Sequence, residues 1–262
     1  MANQLALVTG ASSGIGYNLA KVFAENHFDL IIASAGERLE KTEADFKALG
    51  VQVTAVHADL ATYEGCEELW KKVETAGRPL DAAALNAGVG QGGLFAETPL
   101  DKEINIIRLN VEGTVHVAKH VVQHMVDRGQ GRILITASIV SEMVAPREAI
   151  YAASKAFDLS FAKSLREELE GTGVTVTALQ PGPVDTDFFH RADMDNTKVG
   201  QEGKKENEPY DVAKQGFDAL MKGEKHVYAA DWITKAEGAL ANVTPDKLKA
   251  AMHEKASQPI EK

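Results

Sequence analysis

Cysteine is nearly missing from this chain: Cys66 is the single one among 262 residues. No internal disulfide framework is possible, and a reducing compartment suits such a composition. Long apolar runs are missing as well. No stretch approaches the roughly 18 consecutive apolar residues of a membrane-spanning helix. The opening MANQLALVTG lacks the charged start and cleavage site of a secretion signal. A cytoplasmic location is therefore expected. Positive charge is in deficit, with 28 Lys and Arg against 38 Asp and Glu and a net charge of -10. Such a surface repels phosphate backbones and anionic lipid, so neither nucleic acid nor a membrane is expected as a partner. Repeats, low-complexity tracts and an internal linker are also absent, and 44% hydrophobic residues suffice for one large core.

What is present is an alternation. Short apolar runs at 4–9, 29–34, 51–57, 80–86, 132–138 and 174–180 are separated by helical patterns near 14–27, 37–48, 62–76, 99–127 and 149–171. Several runs (LALV, LII, AAAL, ILI) are apolar nearly throughout, as in strands covered on both faces. Strands alternating with helices predict an α/β fold, a single doubly wound parallel sheet of about seven strands with helices on both faces. The polar stretch 191–209 follows the sixth strand and is either a lid, with bounds of 188–209, or a solvated loop. The tail 231–262 is predicted to be helical and to pack on the body or on another subunit rather than on a membrane.

Gly10, Gly14 and Gly16, in LALVTGASSGIG, stand where the first strand gives way to the first helix. Backbone N–H groups at a helix start attract phosphate, and glycines let a pyrophosphate approach the main chain. The spacing is GxxxGxG rather than GxGxxG, and only its place in a βαβ series lends it weight. Asp59 follows the third strand, where it either accepts from an adenine amino group or caps the next helix. Asn86-Ala87-Gly88 forms a tight turn at the carboxyl end of the fourth strand, where nucleotide and substrate normally lie, or a simple turn.

Tyr151 and Lys155 sit four apart in YAASK, on one face of a helix with about 5–6 Å between Cβ atoms. Lowering a phenol pKa from about 10 towards 7–8 takes roughly 3–4 kcal/mol. A solvated pair supplies at most about 1 kcal/mol, whereas a cation near 4 Å in a partly dry cleft is worth on the order of 4 kcal/mol. The pair makes chemical sense only if something covers it; otherwise it is a chance pair on a surface helix. Ser138 ends the fifth strand and can hold a substrate oxygen against the tyrosine. Asn110 lies inside the long helix before that strand, where asparagine has poor propensity. It either bridges packed elements or orders a water beside Lys155.

TGASSGIG, NAG, Asn110, Ser138, YAASK and PGPVDT occur in this order and at these distances, and together they resemble the short-chain dehydrogenase/reductase family from Leu5 to about Ala230. The resemblance implies a Rossmann-type sheet and a catalytic tetrad of Ser138, Tyr151, Lys155 and Asn110. It implies a pyrophosphate turn of Gly10, Ser12, Ser13, Gly14, Ile15 and Gly16, and an adenine contact at Asp59 and Leu60. Asn86, Ala87 and Gly88 match the ribose-side turn, with Leu85 replacing the usual first asparagine. Pro181, Gly182, Val184 and Thr186 match the segment that contacts the nicotinamide half. In relatives Tyr151 exchanges a proton with a carbonyl or alcohol oxygen. Lys155 depresses its pKa and holds the nicotinamide ribose, and Ser138 polarises the oxygen. The second strand ends without the aspartate of NAD-preferring relatives, so Ser34 and Arg38 are expected to receive the 2′-phosphate of NADP, with NAD the alternative and Glu37 opposing. The expected substrate is a small-molecule carbonyl or alcohol, in a partly apolar pocket suggested by Phe95, Met143, Phe188 and Phe189. Competing readings are a non-redox epimerase or lyase on the same scaffold and a catalytically silent cofactor sensor. A homodimer or homotetramer is expected. No metal ligands are assigned.

Overall fold

Seven parallel strands, in the order β3-β2-β1-β4-β5-β6-β7, form one sheet. The computed structural model describes residues 3–201, 207–229 and 245–260. In chain order the strands are β1 (Leu5–Thr9), β2 (Asp29–Ser34), β3 (Val53–His57), β4 (Ala82–Leu85), β5 (Gly131–Thr136), β6 (Val174–Pro181) and β7 (His226–Ala229). The apolar runs become strands because both faces are covered, and β1 and β4 are buried at every position.

One face carries α1 (Gly14–Glu25), α2 (Leu39–Lys47) and the helix α8 (Pro209–Lys222), packed through Phe23, Phe46 and Phe217. The other carries α3 (Tyr63–Thr75), α5 (Thr114–Arg128) and α6 (Ala149–Glu168), packed through Leu69, Val121 and Leu159. A short α7 (Phe188–Arg191) follows β6, and α9 (Asp246–Ser257) closes the described chain. Among the described residues no helix is long and apolar enough to cross a membrane.

Two boundaries differ from the sequence reading in ways that matter for the site. The long helix near 99–127 is α4 (Leu100–Ile106), a π turn (Ile107–Gly113) and α5. The extra residue per turn places Asn110 in the irregular segment, a device common at functional sites. β5 ends at Thr136, so Ser138 lies beyond it and caps a 3₁₀ turn (Ile139–Glu142). The helical tail is described only from Pro245 onward; 230–244 lies outside the described residues.

The strand order reverses between β1 and β4. At such a switch point neighbouring crossovers leave on opposite faces and open a crevice at the carboxyl ends of the strands.

Candidate active site

A cavity of ≈ 320 Å³ occupies that crevice. Its floor is the turn between β1 and α1. Gly10 has a φ of 68°, and a Cβ there would lie 2.9 Å from Ala87 Cα. A Cβ on Gly16 would lie 2.2 Å from the Gly10 carbonyl oxygen and 2.5 Å from Asn86 Nδ2. These glycines let the turn seat directly on the β4 turn, leaving main chain exposed to the cavity. Gly10, Ser12, Ser13, Gly14, Ile15 and Gly16 all line it, so the cradle fits a pyrophosphate. The site thus fits the pyrophosphate of a dinucleotide on the geometry of its glycines.

The flanking residues are placed as follows. Ser34, Asp59, Leu60, Asn86, Ala87, Gly88, Pro181, Gly182, Val184 and Thr186 line the same cavity. Ser34 Oγ lies 2.8 Å from Ser12 Oγ and accepts from the Gly36 amide at 3.0 Å. Asp59 is not the cap of α3. That role falls to Thr62, whose Oγ1 accepts from Gly65 N at 3.0 Å, while Asp59 Oδ1 accepts from Ala61 N. The Asn86 side chain ties strands together, accepting from Thr136 Oγ1 at 3.1 Å and donating to the Thr9 carbonyl. Arg38 departs from expectation. Its guanidinium pairs with Asp187 at 2.8 Å and does not line the cavity. The cation beside the glycine turn is Arg191 of α7, which lines the cavity and whose Nη2 donates to Ser13 Oγ at 3.3 Å.

Ser138, Tyr151 and Lys155 meet on the opposite wall. The Ser138 hydroxyl accepts from Val140 N at 3.3 Å, and Ser141 Oγ donates to the Lys155 carbonyl at 2.9 Å, binding the 3₁₀ turn to α6. The Tyr151 ring packs against Phe188 of α7, centroids 5.2 Å apart. Burial, with the Glu148 and Asp158 carboxylates adding to it, pushes the Tyr151 phenol well above its ordinary value, and the Ser138 side chain works the other way. The buried Lys155 ammonium donates to the Thr136 carbonyl at 2.8 Å and to Asp158 Oδ2 at 3.0 Å, so Asp158 is its ion-pair partner. Burial also raises the Asp158 carboxyl, which Lys155 only partly offsets. Asp158 Oδ1 is buried with no hydrogen-bond partner.

Asn110 is fully buried, and its amide belongs to the main chain of Val89. Oδ1 accepts from Val89 N and Nδ2 donates to Val89 O, both at 2.9 Å, with Ser154 Oγ at 3.0 Å. The side chain therefore bridges packed elements. A Cβ on Gly88 would lie 3.3 Å from Asn110 Oδ1 and 3.4 Å from Lys155 Nζ, so the two still meet at the ribose-side turn.

The lid is packed. Phe189, Ala192 and Met194 form a small buried cluster with Phe188 and Val199 against the cavity. Gly92 N donates to Ala192 O at 2.7 Å, and Lys102 pairs with Asp193. Residues 202–206 of the expected lid lie outside the described residues. Phe188 and Phe189 line the cavity; Phe95 and Met143 do not, and Phe95 is exposed.

Three residues in or beside the wall had no motif to reveal them. Glu148 accepts from His253 Nε2 at 2.9 Å and from Ser257 Oγ at 3.0 Å, which docks α9 beside Tyr151. Asp158 was legible as a carboxylate on the buried face of α6, three residues after Lys155, and Arg191 only as one charge in a polar loop.

A family model described as short chain dehydrogenase matches residues 4–197. The chain is 40% identical over 185 residues to the 1-deoxy-11-beta-hydroxypentalenate dehydrogenase of Streptomyces exfoliatus, covering 69% of this chain and 67% of that one. It is 36% identical over 188 residues to the oxidoreductase UcpA of Salmonella typhimurium, 71% of each. A solved short-chain dehydrogenase from Sphingobium yanoikuyae in complex with NADPH superposes with a TM-score of 0.82 at 27% identity, over 92% of this chain and 93% of that one.

Proposed function

Because the chain belongs to the short-chain dehydrogenase family, we propose that it is a nicotinamide-dependent oxidoreductase interconverting a carbonyl and a secondary alcohol on a small or medium-sized substrate. One observation carries this reading: Tyr151 and Ser138 stand on the wall of the same cavity whose floor is the glycine turn. The cofactor would be held by the turn, Asn86–Gly88 and Pro181–Thr186, and when bound it supplies or accepts the hydride.

The chain's own residues provide the rest. Ser138 holds the substrate oxygen and polarises it. Tyr151, kept protonated at neutral pH by burial and the nearby carboxylates, donates its proton to a carbonyl oxygen. Reduction finds its proton in place, whereas oxidation needs the phenolate and therefore accelerates as pH rises. Lys155, neutralised by Asp158, holds the β5 end and the ribose-side turn rather than carrying a free charge. Phe188 closes over Tyr151 and excludes water.

The end of β2 supports NADP over NAD, since Ser34, Ala35 and Gly36 line the cavity there with no carboxylate to repel a 2′-phosphate. The NADPH-bound relative is consistent with this. A substrate bearing a polar group is favoured by Glu148 and His253, which line the cavity with Ser138 and Tyr151. The test is Tyr151→Phe, which removes one oxygen and no bulk. It is expected to keep nucleotide affinity in a thermal-shift titration with NADPH and NADH, and to abolish turnover on a panel of carbonyls followed by nicotinamide absorbance. Turnover at the parent rate would refute the proton-donor role.

A further inference from the structure

On the sheet face opposite α1, α3 and α5 present Glu67, His116 and His120 to one another, and none of the three lines the cavity. His116 and His120 lie one turn apart on α5, their Nε2 atoms 2.6 Å and 2.9 Å from the same Glu67 oxygen, and the three donor atoms lie within 4.8 Å of one another. All three are half-buried, so an ion can reach them while the helices hold them in place. The rings are pinned from outside: Trp70 stacks on His120 at 5.0 Å and 9°, and Tyr63 tilts onto His116 at 4.7 Å. No step of the proposed reaction uses this cluster.

We propose that Glu67, His116 and His120 bind a borderline divalent transition-metal ion, Zn²⁺ foremost, bridging α3 to α5. Two imidazoles and a carboxylate suit Zn²⁺, Cu²⁺ and Ni²⁺, whereas Mg²⁺ and Ca²⁺ require more oxygen ligands. With metal–ligand bonds of about 2.0–2.2 Å, three such ligands leave a fourth tetrahedral position for water. Coordination would spread the donor atoms by several tenths of an ångström from their hydrogen-bonding separations, a shift within reach of a Glu side chain on a helix surface. The net charge of -10 favours cation binding generally, but only this cluster among the described residues joins three metal-ligating side chains. The ion would act as a staple between two helices. The sequence shows half of the motif, the HVAKH spacing; the third ligand comes from 49 residues earlier and only the packing of α3 on α5 supplies it.

The experiment uses the full chain freed of metal with chelator, then titrated calorimetrically with ZnCl₂, NiCl₂ and MgCl₂. Expected are one Zn²⁺ per chain with Kd on the order of 1–10 μM, weaker Ni²⁺, no Mg²⁺, and a rise in Tm with Zn²⁺. Cu²⁺ should quench the fluorescence of Trp70, and Trp70→Phe should remove that quenching. His116→Ala, His120→Ala and Glu67→Gln, each checked for a parent-like Tm in chelator, should weaken Zn²⁺ by more than about tenfold without changing NADPH affinity. Absence of saturable Zn²⁺ binding below millimolar concentration, or binding that survives the double histidine variant, would overturn the proposal.

Discussion

Lys155 Nζ and Asp158 Oδ2 form an ion pair of 3.0 Å inside the protein, three residues apart on α6, both side chains almost wholly buried. The carboxylate neutralises the very cation that would otherwise ease ionisation of Tyr151, and it adds its own negative charge nearby. Asp158→Asn should therefore lower the Tyr151 pKa, moving the alkaline rise of the oxidation rate to lower pH. Leaving Lys155 without its counter-charge should also cost stability, on the order of 3 kcal/mol. A pH–rate profile for alcohol oxidation, measured beside a thermal melt, checks both; an unmoved profile would show that Asp158 does not reach the phenol.

Gly16 has no room for a methyl group, since a Cβ would lie 2.2 Å from the Gly10 carbonyl oxygen. The obstacle is main chain, not a flexible side chain. Gly16→Ala should destabilise the fold by about 1–3 kcal/mol and displace the phosphate turn. Denaturant unfolding and NADPH titration should both respond, nucleotide affinity more strongly than the melt.

Arg38 and Arg191 separate by position. Arg38 is paired with Asp187 and away from the cavity, and exposed pairs contribute little. Arg191 touches the phosphate turn at Ser13. Arg38→Ala should change the ratio of NADPH to NADH affinity by less than about twofold, whereas Arg191→Ala should weaken both nucleotides a few-fold in a salt-dependent way. A large selective loss of NADPH in the Arg38 variant would restore that residue to the 2′-phosphate.

Asp29, at the start of β2, is buried and accepts from Arg78 at 2.6 Å, Gln52 N at 2.9 Å and Asn3 Nδ2 at 3.0 Å. Burial works to raise its pKa, but these partners outweigh it and hold the carboxyl below the ordinary carboxylate value. Its contribution to stability is therefore full above pH about 4 and is lost as pH falls through the lower folded value. Asp29→Asn should lower the Tm at neutral pH and flatten the acid limb of a stability–pH curve. An equally steep acid limb in that variant would assign the loss to other carboxylates.

The alternation of apolar runs with helical patterns determined the sheet, its parallel sense and the crevice. Those rest on local periodicity and on chain connectivity, both written in the sequence. The glycine turn, Ser138, Tyr151 and Lys155 were legible for a related reason: each follows a strand end or shares a helix face at a spacing that geometry allows to be counted. Side-chain partners were not legible. Lys155 could be placed on the helix, but whether its charge faced the phenol or Asp158 depends on how α6 lies against β5, and the burial of that contact sets the electrostatics. The partners of Arg38 and Asn110 were hidden for the same reason, since a polar side chain satisfies itself on whatever the packing brings near, here Asp187 and the main chain of Val89. Glu148 with His253, and Glu67 with His116 and His120, join residues far apart in the chain. Only the docking of α9 on the cavity wall and of α3 on α5 brings them within bonding distance, because such contacts are fixed by the close-packed whole and not by any local run of residues.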